Sequence, residues 1–253
     1  MSDMLLKVSN LTVKTVEKTI LQQVSFNLEK GAFQVVLGPN GSGKSTLASF
    51  LAGQPDYLAD ENSQVEFAGQ DLLSLSADER SRAGLFLAFQ QPVVIPGLKV
   101  LNFLWLAYQQ RFSVVAERAF KNILDFRTVL RQIAKELDVK SELLERGLNE
   151  GFSGGEKKRL EVLQLLVLKP KLAILDEIDS GLDVDALKVV AAGIKKLRVE
   201  NGTAIILITH HQRIVRSFEP DVVHVLVAGK LVASGDIKLL EEIERTGFSQ
   251  YKS

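Results

Sequence analysis

A glycine-rich segment near the start of the sequence has the residue types that bind a chain of phosphates. Its members in order are Gly38, Pro39, Asn40, Gly41, Ser42, Gly43, Lys44, Ser45 and Thr46. Glycine lets the backbone bend so that successive N–H groups point at an anion, and the helix predicted to follow adds the positive end of its dipole. In such a loop Lys44 would lie along the β- and γ-phosphates, Ser45 would offer its hydroxyl to Mg²⁺, and Thr46 would cap the helix or contact the α-phosphate. The alternative is a glycine-rich turn without a ligand, but the complete pattern between an apolar strand and a helix favours nucleotide binding.

Two adjacent carboxylates, Asp176 and Glu177, follow a short apolar run at 173–175. When a phosphate-binding loop lies upstream, an acid at such a strand end completes the coordination of Mg²⁺, and a further acid polarises the attacking water. Because side chains alternate along a strand, the two carboxylates should point in different directions and serve the metal and the water separately. Two acids at a strand end can also be an ordinary solvated edge, but the loop upstream favours the catalytic interpretation.

A second glycine-containing segment, Ser153-Gly154-Gly155-Glu156, precedes an apolar-periodic helix. Ser153 is placed to cap that helix, Glu156 has the spacing of a capping box, and the glycines allow close backbone approach. The segment therefore predicts a helix start and also a second anion site, remote in sequence from the first. Two such sites in one chain suggest two protomers that exchange them across a two-fold axis.

A histidine, His210, follows the apolar run 204–208. A lone histidine is more often a satisfied loop residue than a catalyst, and on the residues alone we give His211 and His224 the same interpretation.

The elements that would hold these residues alternate between strands and helices. Residues 33–37 are almost continuously apolar, as in a central buried strand. In 5–13 and 20–28, apolar and polar residues partly alternate, which is typical of strands in a sheet with one solvent-exposed face. Further strands are predicted at 85–89, 172–175 and 204–208, with a hairpin over 222–233. The alternation implies a mostly parallel sheet and the α/β fold class.

A helical insertion is predicted between the strands. Pro92 and Pro96-Gly97 break regular structure, and apolar residues then recur at three- and four-residue spacing until about residue 146. The predicted domains are an ATP-binding α/β core with a β subdomain at 1–91 and 152–236, a helical subdomain at 92–151, and a C-terminal helix and tail at 237–253.

Composition excludes several classes of function. Lys+Arg and Asp+Glu number 31 each, so the chain has no net charge that would favour binding to nucleic acid or to an anionic membrane. The basic run Lys157, Lys158, Arg159 is interpreted as a solvated helix face. The absence of cysteine excludes disulfides, thiolate metal sites and clusters ligated by this chain's own thiolates. No apolar stretch approaches the roughly 20 residues that span a bilayer, so we expect a cytoplasmic protein without direct membrane insertion.

Taken together, six ordered motifs resemble those of the ABC-type ATPases across nearly the whole chain. They are a Walker A at 38–46, a Q-loop at Gln90, a signature at 152–156, a Walker B at Asp176-Glu177, a D-loop at 180–183 and an H-loop at His210. The resemblance implies the P-loop NTPase ABC-ATPase fold, with an antiparallel β subdomain and an inserted α-helical subdomain. The sequence segments around these motifs, at 88–92, 151–159, 175–183 and 209–213, are most similar to those of the ATPases of the Suf iron–sulphur cluster assembly system.

The resemblance also implies residue roles. Gln90 would reach Mg²⁺ and the water, Glu177 would be the catalytic carboxylate, and His210 would contact the γ-phosphate. The residues that would close the site of the other protomer are Ser153, Gly154, Gly155 and Asp183.

Four positions depart from the family pattern. The segment 15–18 lacks the aromatic residue that many members place against adenine, which implies weak base stacking and poor base selectivity. Ile178, Gln91 and His211 replace residue types common in the family, and we expect these changes to adjust packing rather than abolish the site.

The function implied by the resemblance is a Mg²⁺-dependent ATPase that drives conformational change in a SufB/SufD-type scaffold, with transient ATP-dependent homodimerisation. Residues 92–108 carry more large apolar groups than one helix can turn inward, so some should form an exposed partner surface; the alternative is that all of them fill the helical core. Two other functions remain open, the nucleotide-binding subunit of a membrane transporter and a nucleotide-gated module with negligible turnover. The presence of Glu177 and His210 argues against the last.

Overall fold

The chain folds into two compact units. One, here called the sheet unit, comprises Met1–Leu87, Lys171–Glu177 and Gly202–Ser253; the other, the helical unit, comprises Ala88–Pro170 and Ile178–Asn201. The structure is a computed structural model and describes residues 3–112, 120, 122–209, 215 and 218–251.

The strands of the described chain are β1 (Met4–Lys14), β2 (Thr19–Glu29), β3 (Phe33–Leu37), β4 (Leu58–Ala59), β5 (Gln64–Phe67), β6 (Gln70–Asp71), β7 (Leu85–Ala88), β8 (Ile95–Lys99), β9 (Gly147–Leu148), β10 (Leu172–Asp176), β11 (Ala204–Ile208), β12 (Val222–Val227) and β13 (Lys230–Gly235). Its α-helices are α1 (Lys44–Leu51), α2 (Ala77–Ala83), α3 (Val100–Phe112), α4 (Ile123–Glu136), α5 (Gly154–Leu168), α6 (Val184–Asn201) and α7 (Ile237–Thr246).

Two sheets build the sheet unit. The first has the order β2-β1-β5-β6 with β4 also paired to β1, and its strands pair antiparallel. The second has the order β13-β12-β3-β11-β10-β7, in which β12, β3, β11 and β10 run parallel and β13 pairs antiparallel with β12. All residues of β3, β10 and β11 are buried, which explains why these strands are almost entirely apolar, with Gln34 and Asp176 as their polar members. The predicted parallel sheet and antiparallel β subdomain are both confirmed.

One hydrophobic core joins these two sheets. It includes Leu6 and Leu28 from the antiparallel sheet, Val36 and Ile206 from the parallel sheet, and Leu47 from α1. Burial of these side chains provides the main stabilisation of the unit. It also fixes the end of β3 and the start of α1, between which residues 38–43 of the glycine-rich segment lie.

A chain of polar contacts also connects the two sheets. The side-chain amide of Gln34 donates to the carbonyl of Asn27 at 2.8 Å, while its oxygen lies 3.0 Å from Nε2 of His224. The other ring nitrogen of His224 lies 2.7 Å from the hydroxyl of Ser234. Burial lowers the pKa of His224 from 6.5 to about 4, so the imidazole is neutral near pH 7. His224 is therefore a satisfied structural histidine, although it lies in a strand and not in a loop.

Helix α2 was not predicted from the sequence. It begins with a capping box between Ser76 and Glu79, and its only buried residue is Arg80. The guanidinium of Arg80 donates to the carbonyls of Phe50 at 2.7 Å and Leu51 at 3.2 Å. Arg80 thus satisfies carbonyl groups at the end of α1 and complements the negative end of its dipole.

The helical unit packs around α5. This helix contacts α3, α4 and α6, and an added Cβ at Gly193 of α6 would overlap Val162 of α5, so glycine allows these two helices to approach closely. Strands β8 and β9 pair antiparallel, with an irregular register between Ile95 and Lys99. The prediction that Pro96-Gly97 interrupts regular structure is thus wrong, because this short ladder accommodates both residues at its irregularity.

The two units divide the chain differently from the predicted domains, which assign α5 and α6 to the α/β core. Helices α5 and α6 lie in the helical unit, because their side chains pack against one another and α5 also packs against α3 and α4. Within the described residues, no helix is both long enough and apolar enough to cross a membrane.

Candidate functional site

The segment 38–46 connects β3 to α1 along a path that requires glycine. Gly41 and Gly43 have φ angles of 76° and 103°, in the region that L side chains rarely adopt, and Gly43 is the N-cap of α1. An added Cβ at Gly38 would overlap the carbonyl oxygen of Leu226 at the end of β12. The strand-loop-helix context predicted for the phosphate-binding pattern is therefore present.

Lys44 is the first residue of α1 and is buried. Its ammonium donates to the carbonyls of Gly38 at 2.9 Å and Pro39 at 3.0 Å, so the side chain folds back over the loop. Burial lowers the pKa of Lys44, while Glu177 and Asp176 oppose that shift by stabilising the charged form. A cation is thereby held beside the loop with two carboxylates in its electrostatic reach.

The hydroxyl of Ser42 is buried and has no hydrogen-bond partner among the described residues. A buried hydroxyl without a partner is costly, and a ligand oxygen would relieve that cost. Together with the glycine-bounded path of the loop and the Lys44 ammonium, this hydroxyl fits a bound phosphate chain.

Asp176 and Glu177 occupy different local structures. Asp176 is the buried last residue of β10, whereas Glu177 lies beyond the strand with a φ of 50° and is half-buried. The N–H of Glu177 donates to the carbonyl of Ile208 at 2.8 Å. The two residues therefore differ in local structure, because Asp176 ends the strand and Glu177 adopts a left-handed conformation just beyond it.

The described residues contain no group of three or more histidines, aspartates or glutamates that could hold a metal by itself. Mg²⁺ commonly binds to one or two protein groups and to substrate phosphates. In the sheet unit, Asp176 at a strand end and the exposed hydroxyl of Ser45 on the first turn of α1 are groups of that kind. The carboxylate of Asp176 and the hydroxyl of Ser45 are therefore suitable ligands for a Mg²⁺ ion that binds together with a phosphate.

In the helical unit, Ser153 caps α5. Its hydroxyl accepts from the N–H of Glu156 at 3.3 Å, and the carboxylate of Glu156 accepts from the N–H of Ser153 at 2.8 Å, which confirms the predicted capping box. An added Cβ at Gly154 would meet nothing within 4 Å, and at Gly155 the nearest atom would be 3.9 Å away. Neither glycine has a positive φ, so the packing of this chain does not itself require glycine at the start of α5.

Lys158 of α5 corrects the sequence interpretation of the basic run 157–159. It is buried, forms a 3.1 Å ion pair with Glu161, and donates to the carbonyls of Phe89 at 3.2 Å and Gln90 at 3.4 Å. Burial raises the pKa of Glu161 to about 7, although Lys158 opposes the shift. The Lys158 side chain therefore connects α5 to the backbone that carries Gln90.

The apolar residues predicted around 92–108 divide into two sets. Leu104 and Tyr108 are buried in the helical unit. Exposed large apolar side chains are those of Phe89, Val93, Val94, Ile95 and Leu106. The amide of Asn149 donates to the carbonyl of Val93 at 2.8 Å and holds this segment in place. The expectation that some of the apolar groups are exposed is confirmed, and the alternative that all of them fill the core is wrong.

Comparison with known proteins identifies the family. The family model described as "ABC transporter" matches residues 21–180, more than half of the 253 residues. The chain belongs to this family of ATPases. ATP is the nucleotide that it binds, and hydrolysis of ATP is its reaction.

Two curated relatives match over nearly their full length. The "Probable ATP-dependent transporter SufC" of Escherichia coli (strain K12) is 44% identical over 244 residues, covering 96% of this chain and 97% of the relative. The "Probable ATP-dependent transporter ycf16" of Pyropia yezoensis is 42% identical over 253 residues, covering 98% of each. Among solved structures, the dimeric post-hydrolysis state of the ATP-binding cassette MJ0796 bound to ADP and Pi superposes with a TM-score of 0.78 at 23% identity, covering 92% of this chain and 98% of that one. This last likeness supports the ABC cassette fold.

The six ABC motifs are distributed over both units. The Walker A loop and the Walker B pair Asp176-Glu177 lie in the sheet unit, whereas Gln90, the signature start at Ser153 and the D-loop Asp183 lie in the helical unit. Asp183 is exposed and accepts from the N–H of Ala186 at 2.7 Å at the start of α6. The predicted H-loop residue His210 lies outside the described residues.

Three structural features of this ABC ATPase were not predicted from its sequence. Arg80 of α2 and Lys158 of α5 are buried charges that donate to backbone carbonyls distant in sequence, which leave no sequence signal. The turn at Gly229 was predicted as part of a hairpin, but its contact with the Walker A loop depends on the tertiary structure.

Proposed function

We propose that this chain is the ATPase subunit of a Suf-type iron–sulphur cluster assembly machine, in which Mg²⁺-dependent ATP hydrolysis drives conformational change in a SufB/SufD-like scaffold. The observation that carries the proposal is the near full-length match, at 44% identity, to the relative named SufC. The exposed apolar segment of Phe89, Val93, Val94 and Ile95 supports a protein partner.

The residue roles in this proposal combine the geometry of the sheet unit with what the family resemblance implies. Lys44 and the N–H groups of the Walker A loop hold the phosphates, and the hydroxyl of Ser45 and the carboxylate of Asp176 hold Mg²⁺, which would neutralise phosphate charge. Glu177 orients and deprotonates the attacking water. The family resemblance alone would add Gln90 to the contacts with metal and water and His210 to the contacts with the γ-phosphate.

A second protomer completes the site in this proposal. The hydroxyl of Ser153 and the N–H groups at Gly154 and Gly155 face a phosphate bound to the other protomer, with Asp183 beside them. Open space around the position of a Cβ at Gly154 supports this, because glycine near the start of a helix lowers its stability without any benefit to this chain's own packing. The dimeric state of the cassette MJ0796 is consistent with it.

The competing function is the nucleotide-binding subunit of a membrane transporter. It is favoured by relatives such as the "Probable ABC transporter ATP-binding protein spyM18_0273" of Streptococcus pyogenes, which is 45% identical over 248 residues. Purification of the chain under native conditions from its own organism separates the two functions. The proposal predicts soluble scaffold proteins in the purified complex, and recovery of an integral membrane subunit in their place would support the transporter.

A further inference from the structure

The sheet unit contains two hairpin turns of the same sequence and geometry. Ala68-Gly69 joins β5 to β6 with φ angles of 50° and 81°, and Ala228-Gly229 joins β12 to β13 with φ angles of 48° and 80°. Positive φ at both central residues matches the type I′ turn of a two-residue hairpin. Replacement of either glycine by alanine would therefore impose similar backbone strain.

The surroundings of the two glycines differ. A Cβ added at Gly69 would meet nothing within 4 Å, whereas a Cβ added at Gly229 would overlap the carbonyl oxygen of Ile20. Gly229 is therefore required by a close approach of backbones as well as by its φ angle, while Gly69 is required only by its φ angle.

The close approach places the Gly229 turn against the Walker A loop. The N–H of Gly229 donates to the carbonyl of Ser42 at 3.0 Å, and the carbonyl of Gly229 accepts from the N–H of Gln22 at 2.8 Å. One glycine thus connects the middle of the loop to β2. Ser42 is also the residue whose buried hydroxyl has no partner among the described residues.

The same hairpin leaves no room for a side chain at the start of the Walker A loop. The carbonyl oxygen of Leu226, two residues before the turn, occupies the space that a Cβ at Gly38 would need. At the other end of the loop, a Cβ at Gly43 would lie 2.7 Å from a methyl carbon of Leu21 on β2. The β12–β13 hairpin and β2 together therefore restrict both ends of the loop as well as its middle.

We propose that Gly229 is a positioning residue for the Walker A loop and that the β12–β13 turn sets the affinity for nucleotide. A loop that binds an anion through backbone N–H groups binds tightly only if those groups are already oriented, because orienting them on binding costs entropy. The Gly229–Ser42 hydrogen bond supplies that orientation from a segment with no other part in the site. The inference rests on the proposed function of the loop as the phosphate site.

The test compares Gly229→Ala with Gly69→Ala in the full chain. Affinity for ADP and for ATP is measured by calorimetric titration, and stability by thermal melting. Both variants should melt at lower temperature because of the shared strain, but Gly229→Ala should bind nucleotide about tenfold more weakly or worse, and Gly69→Ala within about twofold of wild type. Equal affinities for the two variants would overturn the positioning role of Gly229.

A second measurement applies if Gly229→Ala does not fold. Hydrogen exchange of the wild-type protein should show that saturating ADP slows exchange of the Gly229 amide and leaves the Gly69 amide unchanged. An unchanged Gly229 amide would contradict the inference. Lys44→Ala tests the underlying proposal separately, since wild-type affinity in that variant would show that the loop is not the phosphate site.

Discussion

The N–H of Glu177 donates a 2.8 Å hydrogen bond to the carbonyl of Ile208, so the residue just beyond β10 is still tied to β11. The φ angle of Glu177 is 50°, a left-handed conformation that is rare for glutamate. Strain of this kind persists only where the surrounding structure imposes it, and it concentrates at functional sites. The position of this carboxylate is therefore set by the backbone, which is what a group that must orient one water needs.

The first prediction concerns turnover. Glu177→Gln keeps the size and polarity of the side chain but removes the base, so ATP binding should be retained while the hydrolysis rate falls about 100- to 1,000-fold. Steady-state ATPase assays with calorimetric binding measure both quantities. The matched change Glu241→Gln, at an exposed position on α7, should leave both unchanged. Normal turnover by Glu177→Gln would remove the residue from its catalytic role.

The second prediction concerns the strain at Glu177. Glu177→Gly and Glu177→Ala both delete the carboxylate, but only glycine adopts a φ of 50° without strain. The glycine variant should therefore be more stable than the alanine variant by about 1 kcal/mol. Urea unfolding of the two variants checks this, and an alanine variant as stable as the glycine variant would show that the backbone is not strained.

The third prediction concerns assembly. In the proposed dimer, a γ-phosphate joins the Walker A loop of one protomer to Ser153 and its glycines in the other. The chain alone should therefore be monomeric or weakly associated, and Glu177→Gln should form dimers with ATP but not with ADP. Sedimentation velocity distinguishes these states. Gly154→Val in the Glu177→Gln background should abolish the dimer, since its side chain would fill open space in the monomer but obstruct a bound phosphate. A tight dimer without nucleotide would contradict this arrangement.

The fourth prediction concerns acid stability. The pKa of His224 is 6.5 in its ordinary state and about 4 in the fold, so the unfolded chain takes up a proton first as pH falls. Stability attributable to this residue is therefore complete above pH 6.5 and is lost as pH falls from 6.5 through 4, by about 3 kcal/mol. Glu161, with its raised pKa, contributes the opposite trend between about pH 4.5 and 7.

The difference between wild type and His224→Gln separates the two trends, because Glu161 is common to both proteins. Urea unfolding at pH 7, 5.5 and 4 should show the stability advantage of wild type over the variant shrinking as pH falls. A constant difference would mean that His224 is not the group that titrates.

Much of the fold was predictable from hydrophobic patterning. The predicted bounds of β3 and β11 match the structure, because each is a buried run enclosed by turn residues. Helix α2 was missed since its seven residues contain no apolar period and its one buried side chain is that of Arg80. The strand β8 was missed because its Pro96-Gly97 pair is typical of a break.

The candidate site was predictable where its chemistry is local. The Walker A loop and the Ser153 capping box are each encoded in consecutive residues, and the structure contains both geometries. The burial of Lys158 could not be predicted, because its charge is compensated by carbonyls about 70 residues away along the chain. The support of the Walker A loop by Gly229 depends likewise on a contact between segments that are far apart in sequence.

In the proposed function, ATP hydrolysis by this chain acts on a soluble scaffold through the exposed apolar segment of Phe89, Val93, Val94 and Ile95. Val93 is 58% exposed, and Val199 on α6 is 75% exposed, so Val93→Asp and Val199→Asp place the same charge on two exposed valines. Neither substitution should alter folding or basal ATPase activity, since neither side chain is buried.

The most direct measurement is the ATPase rate of wild type, Val93→Asp and Val199→Asp with and without the SufB/SufD-like scaffold of the same organism. We expect the scaffold to stimulate wild type and Val199→Asp about equally, and neither to bind nor to stimulate Val93→Asp. If the scaffold neither binds nor stimulates the wild-type protein, the proposed role in iron–sulphur cluster assembly is contradicted.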